Sequence, residues 1–223
     1  MPVISASEAG KRLGVNAQRI RALASQGRLP GHKVANRWVF DSELLYDHLS
    51  RPRADGRPFE AAHALGLLYL ASGEDAPWLA EYDRWRLRRY IAKLQDVAPR
   101  LRSRAQVSFL RAPESLLRRI DSDKRLVKSG VSAAERYGAD IAARGVAEVY
   151  ASHEHGDQLE HRYALRAVPE ASANLILHRV RPPVALGPRE AMPLAVVALD
   201  LRDSADARTR RAGEALMRRL PRR

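Results

Sequence analysis

Residues 5–49, SASEAGKRLGVNAQRIRALASQGRLPGHKVANRWVFDSELLYDHL, carry the pattern that decides the fold of the first part of the chain. Ser5 with Glu8 forms an S-x-x-E capping box, which predicts a short helix from Ala6 to Leu13. The Leu13-Gly14-Val15 turn breaks it, and Asn16 caps a second helix over Ala17 to about Gln26. Ile20, Leu23 and Ala24 share one face of that helix at helical spacing, while Gln18, Arg19 and Arg21 lie elsewhere on the cylinder. Gly27 supplies a left-handed stop. Two short helices joined by a tight turn, the second bearing Gln and Arg near its start, suit insertion of a recognition helix into the major groove.

After Leu29-Pro30-Gly31, His32-Lys33-Val34 and Arg37-Trp38-Val39-Phe40 read as strands joined through Ala35-Asn36, and this hairpin is expected to be a wing. Asp41 can cap a closing helix whose Leu44, Leu45, Tyr46 and Leu49 complete a small core. Trp38 is expected to pack within the wing rather than stack on bases. The stretch resembles the winged helix-turn-helix of the MerR/excisionase type, carried by Gly27, Arg28, Leu29, Pro30, Arg37, Trp38 and Asp41. Against that resemblance stands a plainer alternative, a small helical domain that binds only protein. The DNA-binding reading puts Gln18, Arg19 and Arg21 at or near base edges, and Arg28, Lys33 and Arg37 on phosphate or in the minor groove.

The chain has 223 residues and a formal net charge of +13, an excess that favours polyanions. Arginine- and alanine-rich composition also follows from a GC-rich genome, and then much of the charge simply solvates helices. With no cysteine, thiol catalysis, disulfides and thiolate zinc sites are excluded. No apolar run approaches the ~18 residues of a membrane helix, and the start MPVISASEAG lacks a signal pattern, so a cytoplasmic protein with no membrane partner is expected.

The expected organisation is a winged helix-turn-helix over 1–50, a linker over 51–58 rich in proline and arginine, and a mixed α+β domain over 59–223. In that domain the patterning predicts helices over Phe59–Ala71, Leu79–Val97, Pro113–Ile120, Asp157–Leu165, Met192–Arg202 and Ala205–Leu220. Strands are expected at Val107–Leu110, Val146–Tyr150 and Ala173–Val180, with an extended segment over Leu126–Val131 interrupted by Gly130. Arg84, Arg86, Arg88, Arg89 and Lys93, continued by Arg100, Arg102 and Arg104, make a basic stretch with interleaved aromatics, for which nucleic-acid contact is one reading; the preferred reading buries Trp85 and Tyr90 and leaves the cations in solvent.

Signs of catalysis are sparse. His153-Glu154-His155-Gly156-Asp157, with His161 nearby, has metal-ligand composition, but its spacing matches no strong zinc motif, and a polar connection with Asp157 at a helix start explains it. Ser129-Gly130-Val131-Ser132 imitates a nucleophile turn without an assignable base; Asp200, Asp203 and Asp206 lie near one another, but Asp206 reads as a helix-starting residue and Asp203 as part of a polar turn, which disfavours paired carboxylates for acid-base catalysis. No phosphate loop or dinucleotide fingerprint is present. The expectation is a non-enzymatic protein without cofactor or metal.

The segment Pro193–Leu201, the turn Asp203–Arg208 and the helix to Leu220, with the strand Ala173–Val180 and Arg181-Pro182-Pro183 before them, resemble the C-terminal end of AbiEi-family type IV antitoxins. Together with a DNA reader, the resemblance implies a two-domain antitoxin that binds double-stranded DNA at its own promoter, represses its operon and counteracts a nucleotidyltransferase-type toxin encoded nearby. A homodimer is compatible with such a role. That family commonly carries a different N-terminal winged helix, so two alternatives stay open: a stand-alone regulator whose second domain senses a ligand or dimerises, and an excisionase-like recombination factor.

Overall fold

The computed structural model describes residues 3–25, 29, 31–42, 45, 57–120, 122–141, 143 and 145–221. They fall into two compact units, Met1–Arg53 and Ala54–Arg223. Gly27, Arg28, Tyr46 and Leu49 lie outside the described residues, as does most of the segment read as a linker.

In the first unit a short strand, β1 (Val3–Ser5), leads directly into α1 (Ala6–Leu13), and α2 spans Ala17–Ser25. Ser5 caps α1 as its spacing to Glu8 predicts: the Glu8 N–H donates to its hydroxyl at 3.2 Å. Gly14 ends the helix in the left-handed region at φ 67, and a Cβ on Gly10 would stand 2.6 Å from the Val15 carbonyl oxygen. Those two glycines let the turn fold back tightly onto α1. Asn16 then caps α2, its Oδ1 accepting from the Arg19 N–H at 2.8 Å. β2 (His32–Val34) and β3 (Arg37–Asp41) form the expected hairpin, with Ala35 and Asn36 both at positive φ, 45 and 63. β1 pairs with the far side of β3, giving a three-stranded antiparallel sheet in the order β1-β3-β2. Ala6, Ala9, Ile20, Ala24, Leu29, Phe40 and Leu45 are buried together, with Leu23 and Trp38 packed against them.

The second unit is a mixed α+β body around a five-stranded sheet in the order β5-β6-β8-β4-β7. Its strands are β4 (Gln106–Arg111), β5 (Val127–Lys128), β6 (Ala147–Ser152), β7 (Arg166–Ala167) and β8 (Leu175–Val180). β6 and β8 run parallel, Val149 opposite Leu177 and Tyr150 opposite His178, while the other strand pairs of this sheet are antiparallel. Period-2 alternation splits the sheet's two faces. Val149, Ala151, Leu175 and Leu177 pack under α6 (Glu114–Ile120) and α8 (His153–Arg162). Tyr150 and Val180 face the larger core built by α3 (Ala61–Ala71), α9 (Leu194–Asp203) and α10 (Ala207–Arg218). α3 and α9 are apolar nearly all round, as central helices must be. No described helix is long and apolar enough to cross a membrane.

Several boundaries differ from the sequence reading for identifiable reasons. Phe59 precedes α3 because its N–H bonds the Arg100 carbonyl at 3.1 Å and its ring meets Tyr90 edge-on at 5.3 Å. The long helix expected over Leu79–Val97 is α4 (Glu81–Arg88), a 3-10 turn (Ile91–Lys93) and α5 (Leu94–Val97). The buried or half-buried stripe there is Leu87, Tyr90, Ile91, Leu94 and Val97. Trp85 lies roughly 200° round the helix from Leu87 and is 55% exposed, contrary to the expectation that it is buried. The helix expected from Asp157 starts at His153, because Ser152 caps it by accepting from the His155 N–H at 3.2 Å. The extended segment at Leu126–Val131 narrows to β5 and then turns into α7 (Gly130–Ala133).

Candidate functional site

At about 100° per residue, Ile20 and Ala24 fix the inward side of α2, and Gln18, Arg19 and Arg21 fall on the opposite arc. All three are exposed. Arg19 has a second role, since its backbone N–H is the one that Asn16 caps. On the hairpin, Lys33 and Arg37 are exposed as well. Lys33 stands across the strand pair from Trp38, and its ammonium lies 5.6 Å from that ring centroid, a cation–π contact. Trp38 itself is half-buried, stacked on Phe40 at 6.3 Å and packed against the small core. Arg28 lies outside the described residues. The first unit therefore displays one polar, arginine-bearing helix face and a cationic hairpin, both supported by a closed apolar core.

The second unit holds a different constellation. Asp200, on α9, is 4% exposed and its carboxylate accepts four hydrogen bonds from three residues. Oδ1 accepts from Arg104 Nε at 2.9 Å, from Arg104 Nη2 and from the Tyr150 hydroxyl at 3.1 Å; Oδ2 accepts from Ser129. Arg104 reaches on through Nη1 to Asp203 Oδ2 at 2.9 Å, and Arg102 Nε donates to the other oxygen, Asp203 Oδ1, at 3.3 Å. Beside this network Glu148 accepts from the Val131 N–H at 3.0 Å and pairs with His178 Nε2 at 2.9 Å. The His178 ring stacks flat on Tyr150, 4.5 Å between centroids.

Burial alone would lower the Arg104 pKa, but the surrounding charges, Asp200 above all, hold it well above its ordinary value. Burial and then the Asp200 charge push the Tyr150 phenol well up, so it stays a donor. Gly130 is required where it stands: its φ is +44, and a Cβ there would sit 1.7 Å from Glu148 Oε2.

Glu148, His178 and Asp200 each bring a ligand-type atom within 4.8 Å of the others, the one such group among the described residues. The donor arrangement argues against a cation there. Both Asp200 oxygens already accept hydrogen bonds, and the buried Arg104 guanidinium already balances the Asp200 charge. The Ser129 hydroxyl donates to the Asp200 carboxylate, and His178 Nε2 pairs with Glu148, so the hydrogen bonds among the described residues do not link Ser129 to an imidazole base as a triad requires. What the arrangement supplies is cross-linking of β6, β8, α9 and the segment after β5 by hydrogen-bonded polar groups, with His178 Nδ1 left buried and without a partner.

The histidine cluster does not converge. His153 Nε2 faces Asp157 at 3.4 Å and Arg181 at 3.3 Å, whereas His155 Nε2 faces Asp123 at 3.1 Å from within the protein. Asp123 is held down to about 2, chiefly by hydrogen bonds from the Arg125 side chain. Asp206 caps α10 through the Thr209 N–H at 2.7 Å, in keeping with a helix-starting role.

Sequence reasoning missed Arg104, Glu148, Tyr150 and His178 as a group. A signal was available for two of them: in AEVYAS and LILHRV, Glu148 and His178 take alternating positions shared with core-facing apolar residues. Arg104 closes a run of arginines whose other members lie at the surface or half-buried, and nothing local marks it out. No family model, curated protein or solved structure matches this chain.

Proposed function

We propose that this protein is a DNA-binding regulator whose first unit reads duplex DNA as a winged helix-turn-helix, α2 entering the major groove and the β2–β3 hairpin acting as the wing. The observation that carries the reading is the division of α2: Ile20 and Ala24 anchor it in the core, and Gln18, Arg19 and Arg21 share the exposed arc. Lys33 and Arg37 on the hairpin and the net charge of +13 supply phosphate-directed cations. The resemblance to AbiEi-type antitoxins extends the proposal: the protein represses its own promoter, and its second unit counteracts a nucleotidyltransferase-type toxin encoded beside it, without enzymatic activity of its own. A homodimer and cytoplasmic residence belong to the same proposal.

The test is fluorescence anisotropy on a labelled duplex from the region upstream of the gene. Each good base contact is worth roughly 1–3 kcal/mol, so Arg19→Ala with Arg21→Ala should weaken specific binding at least tenfold while leaving the melting profile unchanged. Undiminished affinity and specificity would remove α2 from the recognition role. Co-expression with the neighbouring reading frame in a growth assay tests the antitoxin part.

A second reading, a ligand-sensing regulator, is favoured by one feature. The second unit has an open cavity of about 780 Å³ between α6 and α8, lined by the apolar Leu116, Ile120 and Leu159 and by Arg119, Arg125 and Arg162 among others. Protection in the growth assay would decide for the antitoxin.

A further inference from the structure

Five large apolar side chains are exposed among the described residues, and the two aromatic ones, Tyr82 and Trp85, stand one turn apart on α4. Tyr82 is 65% exposed and Trp85 55% exposed. Their rings stack on each other at 6.1 Å with an interplanar angle of 26°. Each also carries a guanidinium: Arg86 lies 5.8 Å from the Tyr82 centroid and Arg89 5.2 Å from that of Trp85. Arg88 and Lys93 are exposed on the same stretch. The acidic neighbour Asp83 is engaged by His63 at 3.6 Å and Arg86 at 3.9 Å, which removes part of its repulsion toward an anion.

Folding does not account for this patch, because the buried stripe of the segment runs through Leu87 and Leu94, on the other side of the helix from Trp85. An aromatic pair already stacked in water offers a flat apolar surface on which a third ring can continue the stack. The flanking arginines offer planar cations for a phosphate backbone running beside it. Duplex DNA hides its base faces within its own stack, so the ring chemistry selects unpaired bases. We infer that the α4 face of the second unit binds single-stranded nucleic acid by base stacking on Trp85 and Tyr82, with Arg86, Arg88, Arg89 and Lys93 tracking the phosphates. Trp, Tyr and Arg are equally the residues of protein hot spots; the density of cations decides for a polyanion with ring faces over an acidic protein. This site is separate from the duplex-reading surface proposed for the first unit.

The experiment uses the full chain with fluorescently labelled U20 and dT20 in anisotropy titrations, an oligoglutamate peptide as a second probe, and intrinsic tryptophan fluorescence in parallel. Binding of the oligonucleotides with quenching of tryptophan emission is expected. Trp85→Ala should weaken it roughly ten- to hundredfold, Trp85→Phe only a few-fold, and Arg88→Ala with Arg89→Ala should shallow the log–log salt slope by about 1.4, roughly 0.7 for each charge removed from a single-strand contact. Matching melting curves keep a folding defect apart from a binding defect, and both aromatic substitutions are on the surface. Arg19→Ala with Arg21→Ala should leave the Trp85-dependent component intact, which separates failure here from failure of the duplex reading. The inference is overturned if neither oligonucleotide binds, if Trp85→Ala binds within twofold of the parent, or if the oligoglutamate peptide shows the same dependence on Trp85, which would make the patch a protein-docking surface.

Discussion

Replacing Arg104 with Met tests the buried network of the second unit most directly. The Arg104 side chain is 2% exposed and that of Asp200 is fully buried, so the substitution strands a carboxylate with only hydroxyl donors, Ser129 and Tyr150. Breaking a buried pair from one side typically costs about 3–5 kcal/mol. For a unit of this size that corresponds to a drop in melting temperature of roughly 6–20 °C. Met fills a similar space, so loss of volume contributes little. The companion variant, Arg104→Met with Asp200→Asn, removes both charges, keeps an acceptor oxygen for one hydroxyl and offers the other an amide N–H to accept from. It should recover at least about 1–2 kcal/mol of the loss, because the uncompensated charge, rather than the missing bond, is the larger cost. Urea unfolding followed by circular dichroism gives the free energies, and hydrogen exchange over β6 and β8 locates them. A single variant that loses less than about 1 kcal/mol, or a double variant less stable than the single, would refute the claim that the network is a closed ion-pair structure.

Three further outcomes follow from the local geometry. Trp38→Ala should cost about 2 kcal/mol in the first unit, below the ~3–5 of a fully buried aromatic, since Trp38 is only half-buried; an unchanged thermal transition combined with lost DNA binding would reassign it to recognition. Ala35→Asn should stabilise the hairpin by roughly 0.5–1 kcal/mol, because Ala35 sits at φ 45 where Asn is better tolerated; a lower melting temperature would contradict the turn geometry. Tyr69, pushed up to about 12 by burial, should stay protonated in an ultraviolet titration near pH 11. With its folded pKa above the unfolded value near 10, its contribution to stability is complete below pH 10 and fades as pH rises through 12. Normal ionisation near 10 would show the phenol to be solvated.

Much of the first unit was legible because its determinants are local. The Ser5 and Asn16 caps, the Gly14 stop and the Ala35-Asn36 turn each act within a few residues, and each appears where spacing places it. β1 was not legible: three residues before a capped helix have no periodicity, and only pairing with β3 makes Val3–Ser5 a strand. In the second unit the strands Gln106–Arg111, Ala147–Ser152 and Leu175–Val180 emerged from apolar patterning to within two residues. Their order and the parallel β6–β8 pair did not, being set by contacts between distant segments. The Trp85 reading shows a further limit. Grouping Trp85 with Leu87 and Tyr90 by hydrophobicity ignored its angle, and the helix turned it outward. The arginines carried no local mark to distinguish Arg104, sealed against Asp200, from its half-buried neighbours Arg100 and Arg102.

The Asp200 carboxylate bears on the order in which the polypeptide takes shape during synthesis. Its partners Tyr150, Ser129 and Arg104 precede it by 50, 71 and 96 residues, so on a ribosome each is made well before the group that satisfies it. Until α9 emerges, a collapsed second unit would bury an unpaired guanidinium and two unpaired hydroxyls, which disfavours early compaction. The first unit, whose described core contacts all lie within its first 45 residues, carries no such delay. Nascent chains therefore acquire a folded amino-terminal unit first, and the second closes as one late event in which Asp200 acts as the latch.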